Sequence, residues 1–64
     1  MENRIAEYRK QKGLSQNQLS YILKVPQARI HEWETGKRVP RVDSAIRLAR
    51  ALGVTCEDLF PLID

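Results

Sequence analysis

SQNQLSYILKVPQARIHEWETG, residues 15–36, is the stretch whose reading decides the fold of this chain. Leu19, Ile22 and Leu23 fall at the i, i+3, i+4 spacing of one helical face. Ile30 and Trp33 repeat the three-residue spacing farther on. Only Lys24, Val25 and Pro26 lie between, which leaves room for a tight turn and nothing longer. The stretch therefore reads as two short helices, 15–23 and 27–35, crossing at a steep angle with the second standing out as a ridge. A polar ridge one helix wide suits the major groove of DNA, which is ~12 Å across.

The flanks extend this helical pattern. Residues 3–12 predict a first helix, with Asn3 as its cap and Ile5 and Tyr8 as a narrow apolar stripe. Gly13 ends it in a left-handed conformation, and Leu14 turns back to the core. Ser15 with Gln18 fits a capping box at the start of the second helix. Lys24 stands where the turn calls for positive φ, an expected cost of ~1 kcal/mol relative to glycine. Pro26 fits the first turn of the third helix but offers no side-chain cap. Gly36 closes that helix. Residues 42–52 predict a fourth, whose face of Val42, Ala45, Ile46, Leu48, Ala49 and Leu52 is expected in the core, with Arg47 and Arg50 toward solvent. Gly53 stops it, Thr55 with Asp58 makes a second capping box, and a short fifth helix spans 56–60. The apolar end, Leu59, Phe60, Leu62 and Ile63, is expected partly to close the core and partly to form a dimer surface. The expectation is an all-α fold of five short helices in one domain, residues 1–64.

Composition narrows the function. Apolar residues make up 42% and charged residues 30% of the 64, as in an ordinary soluble domain. No apolar run approaches the ~20 residues of a membrane span, and the N-terminus lacks the apolar core of a signal peptide. The single cysteine, Cys56, points to a reducing, cytoplasmic setting. Cys56 and His31 are too few for a four-ligand zinc site, and nothing orients them as a catalytic dyad. Neither a Gly-rich phosphate loop nor an inward carboxylate pair is present, so no enzyme, metal or cofactor is expected. Net charge is +3 and the pI about 9.4. All eleven Lys and Arg lie before residue 51, while the last fourteen residues carry Glu57, Asp58 and Asp64 and no base. The basic part favours a polyanionic partner.

Particular residues fit particular contacts with DNA. Gln16, at the positive end of the second helix, is placed for a phosphate oxygen. On the outer side of the third helix, Gln27 suits adenine, Ala28 a thymine methyl and Glu32 cytosine, with His31 beside them. Arg29 lies between faces, within reach of a phosphate. Lys37, Arg38 and Arg41 form a basic loop suited to a phosphate clamp, and Arg41 is also placed for a minor groove. The plainer alternative for each is a solvated face or loop.

Taken together, LSQNQL, IHEWETGKRVP, RLARALGV and EDLF resemble the helix-turn-helix domain of phage repressor and Cro proteins, the Xre-like family. The resemblance runs from about Arg4 to Phe60. It implies a lambda-repressor-like fold of five helices whose third reads base edges, with Gln16 on phosphate and Gln27, Ala28 and Glu32 at reading positions. It also implies a structural pair between Arg9 and Glu34, which if left partly exposed is worth ~1 kcal/mol or less. Three positions depart from the family pattern: Lys24 for glycine, Ser20 for alanine, and Pro26 for serine or threonine. The expected function is a sequence-specific regulator of transcription, a repressor, binding double-stranded DNA as a homodimer. An antitoxin holding a toxin on its acidic, apolar end is the nearer alternative. A helical protein-interaction module without DNA binding is the more distant one.

Overall fold

The first four helices end where the backbone turns left-handed, at Gly13, Lys24, Gly36 and Gly53, and these ends set the path of the chain. The computed structural model describes residues 3–61. It contains α1 (Ile5–Gln11), α2 (Gln16–Leu23), α3 (Gln27–Thr35), α4 (Val42–Leu52) and α5 (Cys56–Leu59), with no strand among the described residues. After α1, the amide of Gly13 (φ +75°) donates to the Lys10 carbonyl at 2.9 Å, and that of Leu14 to the Arg9 carbonyl at 3.1 Å. These two bonds satisfy carbonyls that the helix end would otherwise leave open. Lys24 and Val25 repeat the arrangement after α2, donating to Tyr21 and Ser20 at 3.3 and 3.1 Å. Gly53 and Val54 repeat it after α4. The residues after Gly13, Lys24 and Gly53 are apolar, and Leu14, Val25 and Val54 all pack against the core.

Both expected capping boxes form. The Gln18 amide donates to Ser15 Oγ at 3.0 Å, and the Ser15 amide to Gln18 Oε1 at 2.7 Å. Thr55 and Asp58 do the same ahead of α5, at 3.1 and 3.0 Å. Hydrogen bonds from Thr55, backbone first and then side chain, hold the Asp58 carboxyl below its ordinary range. The first helix starts later than the sequence predicts, at Ile5, because Asn3 has a longer-range task. Its Oδ1 accepts from the Ile5 amide at 3.1 Å, while its Nδ2 donates to the Trp33 carbonyl at 2.7 Å. The Arg4 amide donates to the Leu59 carbonyl at 2.8 Å, so the start of α1 is tied to the ends of α3 and α5.

All five helices supply the core: Ile5, Leu19, Leu23, Ile30, Trp33, Leu48, Ala49, Leu52 and Leu59. Burying a side chain of this size is worth about 1.5–3 kcal/mol, so Trp33 and the fully buried Ile5, Leu19, Ile30, Leu48 and Leu59 supply most of the apolar drive. Four expectations are corrected here. Val42 is 78% exposed and Ile46 is also exposed, because a core this small covers only the second half of the α4 apolar face. Ile22 is exposed for the same reason, whereas Leu19 and Leu23 beside it are buried. Arg47 does not simply point to solvent: its Nη2 donates to the Leu23 carbonyl, reached along the apolar stem of the side chain. At the C-terminal end, Leu59 is fully buried and so belongs to the core rather than to a dimer surface. Phe60 is half-buried against that core, and Leu62 and Ile63 lie outside the described residues.

Lys24 is the sole non-glycine residue with positive φ among the described residues, at +58°. Its Cβ crowds the following carbonyl in that conformation. Lys24→Gly is expected to stabilise the domain by about 0.5–1 kcal/mol, and Lys24→Val to destabilise it by more than that. Denaturant midpoints at unchanged m-value check both.

Candidate nucleic-acid interface

The sequence of α3 divides its surface. Ile30 and Trp33 turn inward, leaving Gln27, Ala28, His31 and Thr35 exposed and Glu32 half-buried. Ala28, His31, Glu32 and Thr35 follow the i, i+3, i+4, i+7 period of one helical face. With Gln16 of α2, Gln27 and Lys37 they line one shallow concavity. All four base-reading candidates thus come together with two of the five phosphate candidates. Thr35 is the residue that sequence reasoning passed over, although extending the α3 period by one turn reaches it.

A chain of hydrogen bonds fixes this face from beneath. Arg9 grips Glu34 with two nitrogens, Nε to Oε2 at 2.6 Å and Nη2 to Oε1 at 3.3 Å. Its Nη1 donates to the Leu14 carbonyl at 2.7 Å, just ahead of α2. The pair is not left partly exposed, since the side chains are only 11% and 7% exposed. Glu34 Oε1 also accepts from Gln16 Nε2 at 3.0 Å, and Gln16 Oε1 accepts a longer bond from Gln27 Nε2 at 3.4 Å. Gln16 therefore does not project freely from the helix end as expected. Its side chain lies between Glu34 and Gln27, with the second amide proton of its NH2 group left over as a donor.

The remaining cations are arranged less simply. Arg38 Nε donates to Glu32 Oε1 at 3.2 Å, and Arg29 Nε lies 3.7 Å from the same oxygen. The Arg38 amide also donates to the Glu32 carbonyl at 3.2 Å, which holds the start of the basic loop against α3. Arg41 is brought to a different place. It lies with Val42, Asp43 and Ile46 around a separate depression, 4.0 Å from Asp43.

This geometry joins two short helices by a left-handed turn and presents the outer face of the second. A helix-turn-helix family model matches residues 5–59. The chain belongs to the helix-turn-helix family. The match is to the Xre-like helix-turn-helix and spans nearly the whole range, from about Arg4 to Phe60, over which the sequence resembles that family. A search among curated proteins returns no match. Among solved structures, a transcriptional regulator from Listeria innocua superposes with a TM-score of 0.78 at 22% identity. The likeness covers 100% of this chain and 64% of that one, so this helix-turn-helix chain spans less than two thirds of that regulator's length. At that identity the likeness is one of fold.

Removing one partner of the Arg9–Glu34 pair leaves a buried charge alone. Arg9→Ala or Glu34→Ala is expected to cost about 3–5 kcal/mol. The apolar pair Arg9→Met with Glu34→Leu should cost much less than the two alanine variants summed. Thermal melts followed by circular dichroism distinguish these outcomes.

Proposed function

We propose that this helix-turn-helix protein is a sequence-specific transcriptional repressor that inserts α3 into the major groove of double-stranded DNA. One observation carries the reading. Gln27, Ala28, His31, Glu32 and Thr35 lie on one side of α3, in a single concavity flanked by Gln16 and Lys37. Such a row offers the amide, methyl and ring nitrogen groups that discriminate base edges, with phosphate-binding groups beside it. Gln27 donates to an adenine N7 while accepting from its N6, Ala28 meets a thymine methyl, and His31 reads beyond them. Gln16, through its remaining amide proton and backbone N–H, holds one strand. Lys37 holds the same backbone farther along. Arg29 and Arg38 reach phosphates once they part from Glu32. Arg41, set apart with Val42 and Ile46, contacts DNA beyond the core of the half-site. As a homodimer the protein reads two half-sites ~34 Å apart or a multiple of that distance.

Selection of bound duplexes from a random library at near-physiological salt tests the reading. Enrichment of a two-fold symmetric site is expected. An asymmetric site removes the homodimer, and an unenriched pool removes sequence-specific recognition. On the selected site, Gln27→Ala should cost about 1–3 kcal/mol and relax preference at one base pair. Lys37→Gln should weaken all sequences alike and lower the salt slope by about one. Uniform losses from both variants would show that Gln27 reads no base.

A further inference from the structure

The two arginines nearest the reading face are not free to meet DNA. Arg38 Nε, at 3.2 Å, and Arg29 Nε, at 3.7 Å, converge on a single carboxylate oxygen, Glu32 Oε1. That oxygen occupies the position of a phosphate oxygen between two guanidinium groups. The loop bearing Arg38 is further held by its backbone bond to the Glu32 carbonyl, so the pairing is built into the turn after α3. Resting on the DNA-reading function above, we propose that Glu32 is a specificity-determining internal phosphate mimic. It holds Arg29 and Arg38 away from DNA of random sequence and releases them on a matched site.

The physical argument concerns what Glu32 loses. A phosphate that takes Arg29 and Arg38 leaves the Glu32 carboxylate without its cations and facing a polyanion. On random DNA nothing replaces them. On a matched site a cytosine N4 amine, one turn along α3 from Gln27 and Ala28, supplies a donor to the released carboxylate. Exposed ion pairs are weak and exchange readily, so the barrier to release is low while the penalty against random DNA persists.

The test compares wild type and Glu32→Gln on a random-sequence duplex and on the selected site across a salt series. Glu32→Gln is expected to bind the random duplex roughly tenfold more tightly, with a log–log salt slope steeper by about one to two. Its ratio of specific to non-specific affinity falls accordingly. In an Arg29→Gln, Arg38→Gln background the same change should leave the slope nearly unaltered, because no cation is released. Melting curves check that each variant is folded. Wild-type binding with an unchanged Glu32→Gln slope overturns the proposal alone, as does a steeper slope that persists in the double-arginine background. Absence of binding by wild type and variant at low salt removes the DNA-reading function itself, and this inference with it.

Discussion

The buried pair of Arg9 and Glu34 is the constraint on which the rest of the structure depends. Apolar burial alone holds the helices together without fixing their rotation, because it has no direction. Arg9 and Glu34, 25 residues apart in the chain, supply direction between α1 and α3. Withdrawing two charges from water is costly, and the cost is met only if each polar atom finds a partner. Here it does. Arg9 spends its nitrogens on both Glu34 oxygens and the Leu14 carbonyl, and Glu34 takes Gln16 as well. No buried side-chain nitrogen or oxygen among the described residues lacks a partner. Through Gln16 and Gln27 the same network reaches the surface, so the orientation of the reading face is set from inside.

The turn between α2 and α3 shows how a strained residue is retained. Lys24 bears the cost of a left-handed conformation, yet three interactions over-determine it. Its own amide closes on Tyr21, Val25 beyond it both bonds to Ser20 and packs on the core, and Arg47 from α4 donates to the Leu23 carbonyl. Each would be lost if the turn relaxed. Strain of ~1–2 kcal/mol is small against that set. The α2–α3 crossing is thereby held by α4 as well as by the turn itself.

What the sequence makes legible is what is decided within a few residues. The capping boxes of Ser15 with Gln18 and Thr55 with Asp58, the turn at Gly13 and the positive φ of Lys24 depend on neighbours close in the chain, and each is readable there. The boundaries of α2 follow from them, and Gly36 and Gly53 close α3 and α4 in the same local way. Side-chain surroundings depend on distant residues and are less legible. Val42 and Ile46 share a helical face with Leu48 and Leu52, but only the assembled core decides how much of that face is covered. Arg47 has the composition of a solvent-facing residue and still reaches a carbonyl. Gln16 is readable as a helix-start residue, whereas its turn toward Glu34 requires knowing where α3 lies. Of the two Glu32 partners, Arg29 stands three residues away on the same helix and follows from helical spacing, while Arg38 comes from the loop and does not.

The same two residue types do opposite work at two depths. Arg9 and Glu34 are 11% and 7% exposed, so no phosphate can take Arg9 without leaving a carboxylate stranded in the interior. Arg38, Arg29 and Glu32 are 53%, 41% and 27% exposed, so water covers each group as it separates and the pairs are worth at most about 1 kcal/mol each. Burial thus makes the first pair a permanent tie and exposure makes the second an exchangeable contact. A protein that must hold one helix rigid while letting its cations choose between a carboxylate and a phosphate needs both. This chain places them two residues apart, at Glu34 and Glu32, where the helical period sends one side chain inward and the other to the rim.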